Sequence, residues 1–174
     1  MARAVFLDRD GVINRAVVRN GKPYPPASIT ELEILPGVPE ALARLRAAGY
    51  RLVVVTNQPD IARGATTMAA VDAIHDAMRS TLGLDDIRVC PHDDADRCAC
   101  RKPKPGLLLR DPEHDMAASV MIGDRWRDIE AGRAAGCGVT ILVDYGYDEL
   151  VPHEPTVRVA SLAEAAAWLL DRQK

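Results

Sequence analysis

The sequence predicts an α/β fold, a Rossmann-like three-layer sandwich in which helices cover both faces of a mostly parallel β-sheet. Apolar runs of strand length alternate along the chain with segments whose apolar residues recur at helical spacing. Each run is continuous and apolar enough to be covered on both faces, as is typical of strands in a parallel sheet. The 174 residues suffice for one domain with a sizeable core, so we expect a single domain over residues 1–174 with no separate cap domain.

The predicted elements follow one another as repeated strand and helix units. Strands are expected at 3–8, 50–57, 86–90, 118–124 and 138–144. Helices are expected at 37–49, 67–83, 105–111, 126–136 and 161–172. Gly49 is a stop signal for the first helix, and Thr67 is a suitable N-cap for the second. Two irregular stretches, 14–36 and 90–104, are too long for simple connections and are expected to carry function.

Charge and composition narrow the partners that we expect. The net charge of -3 and the isoelectric point near 5.8 give no reason to bind nucleic acid or an anionic membrane. The first residues, "MARAVFLD", reach charged side chains before a signal peptide could form, and no apolar run approaches the roughly 18 residues of a membrane span. We therefore expect a cytoplasmic monomer, in which the four cysteines are thiols or metal ligands.

Polar side chains close three of the predicted strands. Asp8, Thr56 and Asp124 each end a strand, and ligands of open parallel sheets bind at the carboxyl ends of the strands. Asp10 follows Asp8 closely, and Gly11 allows a sharp turn behind it. Clustered carboxylates suit Mg²⁺, which usually keeps water and phosphate oxygens as further ligands. In the alternative interpretation Asp8 caps a turn and Asp10 faces the solvent.

Neighbouring segments supply groups that can hold a phosphate. A hydroxyl and two amides, from Thr56, Asn57 and Gln58, follow the second strand. The segment "CRKPKPG" adds Arg101 and Lys102 in a stretch stiffened by prolines. Carboxylates, a hydroxyl and fixed cations at strand ends are the groups that metal-assisted phosphoryl transfer needs.

A second cluster lies in the segment "CPHDDADRCAC". Its four candidate ligands for tetrahedral Zn²⁺ are Cys90, His92, Cys98 and Cys100. Four protein ligands leave no open position, so the predicted site is structural, and we call residues 90–104 the zinc loop. The alternative is free thiols with a solvent-exposed histidine. Because Arg101 and Lys102 follow the last ligand directly, we hypothesise that zinc orients them toward the substrate.

The ordered motifs "DRDG", "TNQ", "RKPKPG" and "GDRWRD" resemble those of haloacid dehalogenase-type phosphatases over about residues 4–144. The resemblance implies that Asp8 is the nucleophile, which forms an aspartyl-phosphate. Asp10 would protonate the leaving oxygen and then activate water. It also implies that Thr56 and Lys102 hold the phosphoryl group, and that Mg²⁺ binds Asp8, the backbone carbonyl of Asp10, and Asp124.

The zinc loop is similar to that of two groups in this superfamily. These are phosphatases of D-glycero-D-manno-heptose 1,7-bisphosphate and histidinol-phosphate phosphatases, which share "CPH", "CxCRKP" and "DRDG". Asn14 and the "IARG" segment at 61–64 resemble the heptose group, which implies hydrolysis of the 7-phosphate; histidinol phosphate is the alternative. The segment 14–36 differs from the sugar-contacting segment of better-known heptose enzymes, and we call it the specificity loop.

Charge placement suggests how a phosphorylated sugar would bind. Asn57, Gln58, Arg101 and Arg125 are the candidate substrate-binding residues, with Arg101 or Arg125 holding a second phosphate. An alternative of another class is a non-catalytic, zinc-stabilised binding module. The acidic chain and its aromatic content of 4% argue against a nucleic-acid-binding version of that module.

The remaining residues of interest have structural interpretations. Cys137 is expected to pack in the core, because unpaired cysteine is among the most buried residue types. His75, His114 and His153 have no partner cluster in the sequence and are expected at the surface.

Overall fold

The computed structural model describes residues 1–20 and 22–172. The strands are β1 (Ala4–Leu7), β2 (Val17–Arg19), β3 (Lys22–Tyr24), β4 (Arg51–Asn57), β5 (Asp86–Cys90), β6 (Val120–Gly123), β7 (Val139–Val143) and β8 (Val157–Val159). The α-helices are α1 (Val38–Ala47), α2 (Met68–Leu82), α3 (Trp126–Ala135) and α4 (Leu162–Asp171).

Six of the strands form one parallel sheet, in the order β5-β4-β1-β6-β7-β8. In the central strand, Phe6 is paired with Val53 on one side and with Met121 on the other. The chain first extends the sheet from β1 toward β5 and then returns to build β6 to β8 on the opposite side. This reversal creates a crevice at the carboxyl end of β1, where a ligand is expected.

The core lies on both faces of this sheet, because successive side chains of a strand point to opposite faces. Val5 and Leu7 belong to a cluster that also contains side chains of α1, α2 and α4. Phe6 belongs to a second cluster with Leu108 and with Ala131 of α3. The structure thus confirms the predicted Rossmann-like three-layer fold.

The predicted helix signals work as expected. The Thr67 hydroxyl accepts a hydrogen bond from the amide of Ala70 and caps α2. Gly49 follows α1 with φ of 87°, a left-handed conformation that favours glycine and ends the helix.

The helix predicted at 105–111 is wrong, because this segment forms only turns. The amides of Leu108 and Leu109 both bond to the carbonyl of Pro105, which makes a single turn. The carbonyls of Leu107 and Leu108 then accept hydrogen bonds from the buried Arg88 guanidinium, 2.8 and 3.2 Å away. The guanidinium of Arg88 thus takes the place of the backbone amides that would bond to these carbonyls in a longer helix.

Other differences concern short elements and histidines. The antiparallel hairpin β2–β3 inside the specificity loop and the edge strand β8 were not predicted. His75 and His114, which were expected at the surface, are buried, and each ring contacts a buried arginine, Arg9 and Arg88 respectively. Among the described helices, none is long and apolar enough to cross a membrane. The described residues also form no separate cap over the sheet.

Candidate active site

Four charged side chains meet at the carboxyl end of the central strands, and we call them the carboxylate cluster: Asp8, Lys102, Asp124 and Asp128. Asp8 follows β1, and its amide bonds to the carbonyl of Ile122 in β6. The Lys102 ammonium donates to Oδ1 of Asp8 at 2.8 Å and to Oδ1 of Asp128 at 2.5 Å. Lys102 is buried, so it supplies a fixed positive charge between carboxylates.

Two glycines allow the cluster to form at these short distances. Gly11 has φ of 88°, and a Cβ at this position would clash with the carboxylate of Asp124. A Cβ at Gly123 would clash with the side chain of Asp128. Glycine is therefore required at both positions for the carboxylates to approach one another.

Burial and mutual repulsion dominate the electrostatics of the cluster. Burial and the charge of Asp8 raise the pKa of Asp124 well above its ordinary value. The same two causes raise the pKa of Asp128 to about 6. Burial disfavours the charged form of Lys102, but the carboxylates of Asp128 and Asp8 outweigh it and raise the pKa of Lys102. One ammonium does not neutralise three neighbouring carboxylates, so the cluster favours a further cation.

The donor set fits a divalent cation such as Mg²⁺. Carboxylate oxygens of Asp8, Asp124 and Asp128 all lie within 4.8 Å of one another. Oδ1 of Asp124 is buried, and the described residues offer it no hydrogen-bond partner. A buried carboxylate oxygen without a donor is costly unless it ligates a cation. Asp128 was absent from the predicted ligands, although its position four residues after Asp124, at the start of α3, could have indicated it.

Asp10 lies at the edge of the pocket and is held by three side chains. Asn14 donates to Oδ1 at 3.0 Å, and Gln58 donates to Oδ2 at 3.0 Å. The third is Arg9, whose Nη2 lies 3.1 Å from Oδ1. Arg9 is fully buried, and nothing in the sequence distinguished it from an exposed arginine.

The residues at the end of β4 and directly after it contact mainly their neighbours. Thr56 is buried, and its hydroxyl accepts a hydrogen bond from Gln58 at 2.9 Å. Gln58 is also buried and lies behind Asp10, so its predicted contact with substrate stays a prediction. Asn57 forms two hydrogen bonds of 3.1 Å with the backbone of Lys102, one as donor and one as acceptor. Asn57 thereby ties the zinc loop to the sheet.

The four candidate zinc ligands also come together. The Sγ atoms of Cys90, Cys98 and Cys100 are separated by 3.1 to 3.6 Å, and Nδ1 of His92 lies 3.3 Å from Cys100 and 3.6 Å from Cys90. Tetrahedral Zn²⁺ places such ligand atoms about 3.4 to 3.8 Å apart, so the donor set fits this ion. Burial would raise the pKa of Cys98, but the amide of Arg101 and the Cys100 thiol outweigh it and lower the pKa to about 6.

A pocket of about 810 Å³ opens above the carboxylate cluster. Its walls include residues of the β2–β3 hairpin, of the zinc loop and of the 147–149 segment that lies after β7. Arg101 and Arg125 line it, and each is paired with a carboxylate, Arg101 with Asp94 and Arg125 with Glu149. Tyr147 was missed by the sequence analysis, although the "DYGYDE" segment directly follows a predicted strand.

Comparisons with known proteins agree with this geometry. A sequence model of the haloacid dehalogenase-like hydrolases matches residues 26–136, a range that includes Lys102, Asp124 and Asp128 but begins after Asp8. The chain belongs to the haloacid dehalogenase-like hydrolase family. The resemblance to haloacid dehalogenase-type phosphatases that the motifs indicated is thus confirmed.

Relatives within this hydrolase family extend the match over nearly the whole chain. The D-glycero-beta-D-manno-heptose-1,7-bisphosphate 7-phosphatase of Salmonella typhi is 40% identical over 97% of this chain and 89% of its own. The D-glycero-alpha-D-manno-heptose-1,7-bisphosphate 7-phosphatase of Mycobacterium tuberculosis (strain CDC 1551 / Oshkosh) is 41% identical over 82% of this chain and 78% of its own.

A solved structure of the same family has a similar fold. The D,D-heptose 1,7-bisphosphate phosphatase from B. bronchiseptica, complexed with magnesium and phosphate, superposes with a TM-score of 0.84. It is 37% identical, and the match covers 98% of this chain and 99% of that one.

Proposed function

We propose that this protein is a Mg²⁺-dependent phosphatase that removes the 7-phosphate of D-glycero-D-manno-heptose 1,7-bisphosphate. The observation that carries the proposal is the 40% identity to a heptose bisphosphate 7-phosphatase over 97% of this chain. The buried carboxylate cluster at the base of an open pocket supports the chemistry. The non-catalytic binding module considered from the sequence has no support from these relatives.

In the proposed first step, a carboxylate oxygen of Asp8 attacks phosphorus while the bond between phosphorus and the sugar oxygen breaks. Asp10 gives its proton to that leaving oxygen. In the second step, Asp10 takes a proton from water, which attacks the aspartyl-phosphate and releases phosphate and free Asp8. The Lys102 ammonium, 2.8 Å from Asp8, offsets negative charge during both steps.

Asp8, Asp124 and Asp128 would hold the magnesium ion, with the carbonyl of Asp10 as the further ligand that the family resemblance implies. When bound, Mg²⁺ would neutralise the phosphoryl oxygens and allow an anionic nucleophile to approach them. Cys90, His92, Cys98 and Cys100 would hold a structural zinc ion. The amide of Arg101 donates to Sγ of Cys98 at 3.3 Å, which supports the hypothesis that zinc orients the Arg101 and Lys102 segment.

The second phosphate of the substrate is proposed to contact Arg101 or Arg125 at the pocket wall. Both side chains already have carboxylate partners, so a substrate phosphate would have to compete with Asp94 or Glu149. The specificity loop contributes Asn20, Lys22 and Tyr24 to the same pocket. A single domain, a monomeric state and a cytoplasmic location stay predictions.

The deciding experiment compares phosphate release, with Mg²⁺, from both anomers of heptose 1,7-bisphosphate and from histidinol phosphate. The proposal predicts a strong preference for one heptose bisphosphate and no activity in the Asp8→Asn variant. Because relatives named for the β and for the α anomer are 40% and 41% identical to this chain, the assay also decides the anomer. Preference for histidinol phosphate would overturn the substrate and keep the chemistry, whereas activity that survives Asp8→Asn would overturn the mechanism.

A further inference from the structure

Beneath the pocket, two buried side chains connect the helix α2 to Asp10. Arg9 is 0% exposed and His75 is 2% exposed. Nη1 of Arg9 lies 2.9 Å from Nε2 of His75, while Nε and Nη2 of the same guanidinium face the Asp10 carboxylate at 3.1 to 3.3 Å. One edge of the planar Arg9 guanidinium therefore contacts His75, and the opposite edge contacts the carboxylate of Asp10.

We propose that His75 is a positioning residue for the acid and base function of Asp10, and that it acts through Arg9. This inference rests on the proposed function, in which Asp10 protonates the leaving oxygen. His75 does not line the pocket and has no direct route to the substrate. Its effect on the reaction has to pass through the orientation of the guanidinium.

The hydrogen-bonding chemistry assigns the direction of the contact. A guanidinium has only donors, so Nε2 of His75 accepts and the ring carries its proton on Nδ1. Burial and the nearby charge of Arg9 lower the pKa of His75 to about 4, so the ring is neutral at pH 7 and available as an acceptor. Because the guanidinium is planar and rigid, a rotation that moved Nε and Nη2 relative to Asp10 would also break the contact of Nη1 with His75.

The backbone explains why this positioning is needed. The carbonyl of Arg9 accepts the amides of Ile13 and Asn14 at 2.9 and 3.2 Å, which fixes the turn after β1. The turn sets the main chain of Asp10 but leaves its side-chain torsions to the donors around the carboxylate. Arg9 is the charged donor among the three side chains that bond Asp10, so its orientation has the largest electrostatic effect.

The test compares substrates that differ in their need for an acid. Protonation by Asp10 matters for a sugar leaving group and matters little for 4-nitrophenyl phosphate, whose leaving group is stable as an anion. The value of kcat/KM reports the steps up to formation of the aspartyl-phosphate. We expect His75→Leu to lower kcat/KM for the sugar phosphate by about 10- to 100-fold, part of what general acid catalysis contributes. The value for 4-nitrophenyl phosphate is expected to change little.

Matched variants separate positioning from a general loss of structure. His75→Gln keeps an acceptor oxygen and is expected to restore most of the lost rate. The control is His114→Leu, at a second buried histidine that lies away from the pocket, where its Nε2 is 3.4 Å from Nη2 of the buried Arg88. This variant should lower the melting temperature without changing the ratio of kcat/KM for the two substrates. Should His75→Leu not fold, His75→Asn replaces it, because the shorter amide does not reach Arg9.

Two outcomes would overturn the inference. Equal losses on both substrates in the His75 variant, or the same ratio change in His114→Leu, would show that His75 acts only on stability. Asp10→Asn is measured beside them. If this variant lowers both substrates equally, Asp10 is not the acid, and the proposed function fails at that residue together with the inference. If Asp10→Asn lowers kcat/KM more for the sugar phosphate than for 4-nitrophenyl phosphate and His75→Leu does not, the inference alone fails.

Discussion

The carboxylate cluster and the four zinc ligands are both compact groups of four side chains, but the chain assembles them differently. The zinc ligands lie within one segment that starts at the end of β5, so local chain geometry brings them together. The carboxylate cluster combines the ends of β1 and β6, the first turn of α3 and a loop lysine, so it exists only when the sheet is formed. It also contains its own cation, Lys102, whereas the zinc ligands include none.

This difference indicates how each cluster depends on its metal. Without Mg²⁺ the carboxylates keep Lys102 and the surrounding sheet, so the cluster is expected to persist. Without Zn²⁺ the thiols and His92 have only weak hydrogen bonds, so the zinc loop is expected to loosen. The two clusters meet at adjacent residues, because Arg101 contacts Cys98 through its amide and Lys102 contacts Asp8.

The largest effect is expected for Asp8→Asn, which removes the proposed nucleophile. We expect turnover to fall by about 10⁴-fold or more, because loss of a catalytic nucleophile leaves only the contributions of binding and charge stabilisation. Fold should be retained, because an amide of the same shape can still bond to Lys102. Phosphate release and thermal melting measure the two effects. A variant that unfolds, or one that keeps normal turnover, would contradict this assignment.

The next effect is expected for Lys102→Met, which removes the internal cation of the carboxylate cluster. Turnover should fall by about 10²- to 10³-fold, the usual result of losing one charged group that stabilises a transition state. Stability without Mg²⁺ should fall by about 3–5 kcal/mol, because Asp8 and Asp128 would be left buried without a partner charge. Denaturant unfolding with and without Mg²⁺ measures the change.

Lys104→Met is the matched control for this prediction. Lys104 lies two residues further along the same loop, is exposed, and donates to the carbonyls of Arg97 and Cys98. We expect it to retain both turnover and stability nearly unchanged. If the two variants behaved alike, the cluster would not depend on the charge of Lys102.

The sequence predicted most of the fold because the strands that build the parallel sheet are continuous apolar runs, such as "AVFL" in β1. Short elements were missed for a physical reason. β2 and β8 have three residues each, too few for a periodic pattern, and their pairing depends on contacts that form only in the folded chain. The helix predicted at 105–111 was wrong because Arg88 in β5 donates hydrogen bonds to carbonyls of this segment, and local spacing does not show such a contact.

The site residues also divide into those that the sequence pattern predicted and those that it did not. The zinc ligands were visible as a local spacing of soft donors, and Asp8 and Asp124 were visible as strand ends. The buried pair of Arg9 and His75 depends on tertiary contacts, whereas the spacing of Asp128 after Asp124 could have indicated it as a cluster member. His75 in particular was expected at the surface, because a lone histidine in a helix has no sequence signal for a partner 66 positions away.

A smaller effect is expected when zinc is lost from the loop. Cys98→Ser should lower the bound zinc and reduce turnover by about tenfold, because a loosened loop misplaces Lys102 without removing it. Cys137→Ser is the matched control, since Cys137 lies outside the ligand group. Metal analysis and kinetics on both variants test this. Full turnover in a zinc-free Cys98→Ser protein would show that the loop holds its position without the metal.

The last prediction concerns stability rather than turnover, namely how the free energy of unfolding depends on pH in Mg²⁺-free buffer. Burial and Asp8 raise the pKa of Asp128 from an ordinary 3.8 to about 6, so the folded protein binds more protons than the unfolded chain between these values. The contribution of Asp128 to the free energy of unfolding should therefore fall by up to about 3 kcal/mol as pH rises from about 4 to 6 and then level off, while Asp124, whose pKa is also raised, adds a fall of the same sign. Bound Mg²⁺ should abolish the slope, because it replaces the proton as the counter-charge. Without metal, Asp128→Asn should remove the share of the slope that Asp128 contributes. A slope that Mg²⁺ leaves unchanged would mean that the ion does not bind at the carboxylate cluster. As a control, the zinc content of the protein should be the same in both buffers.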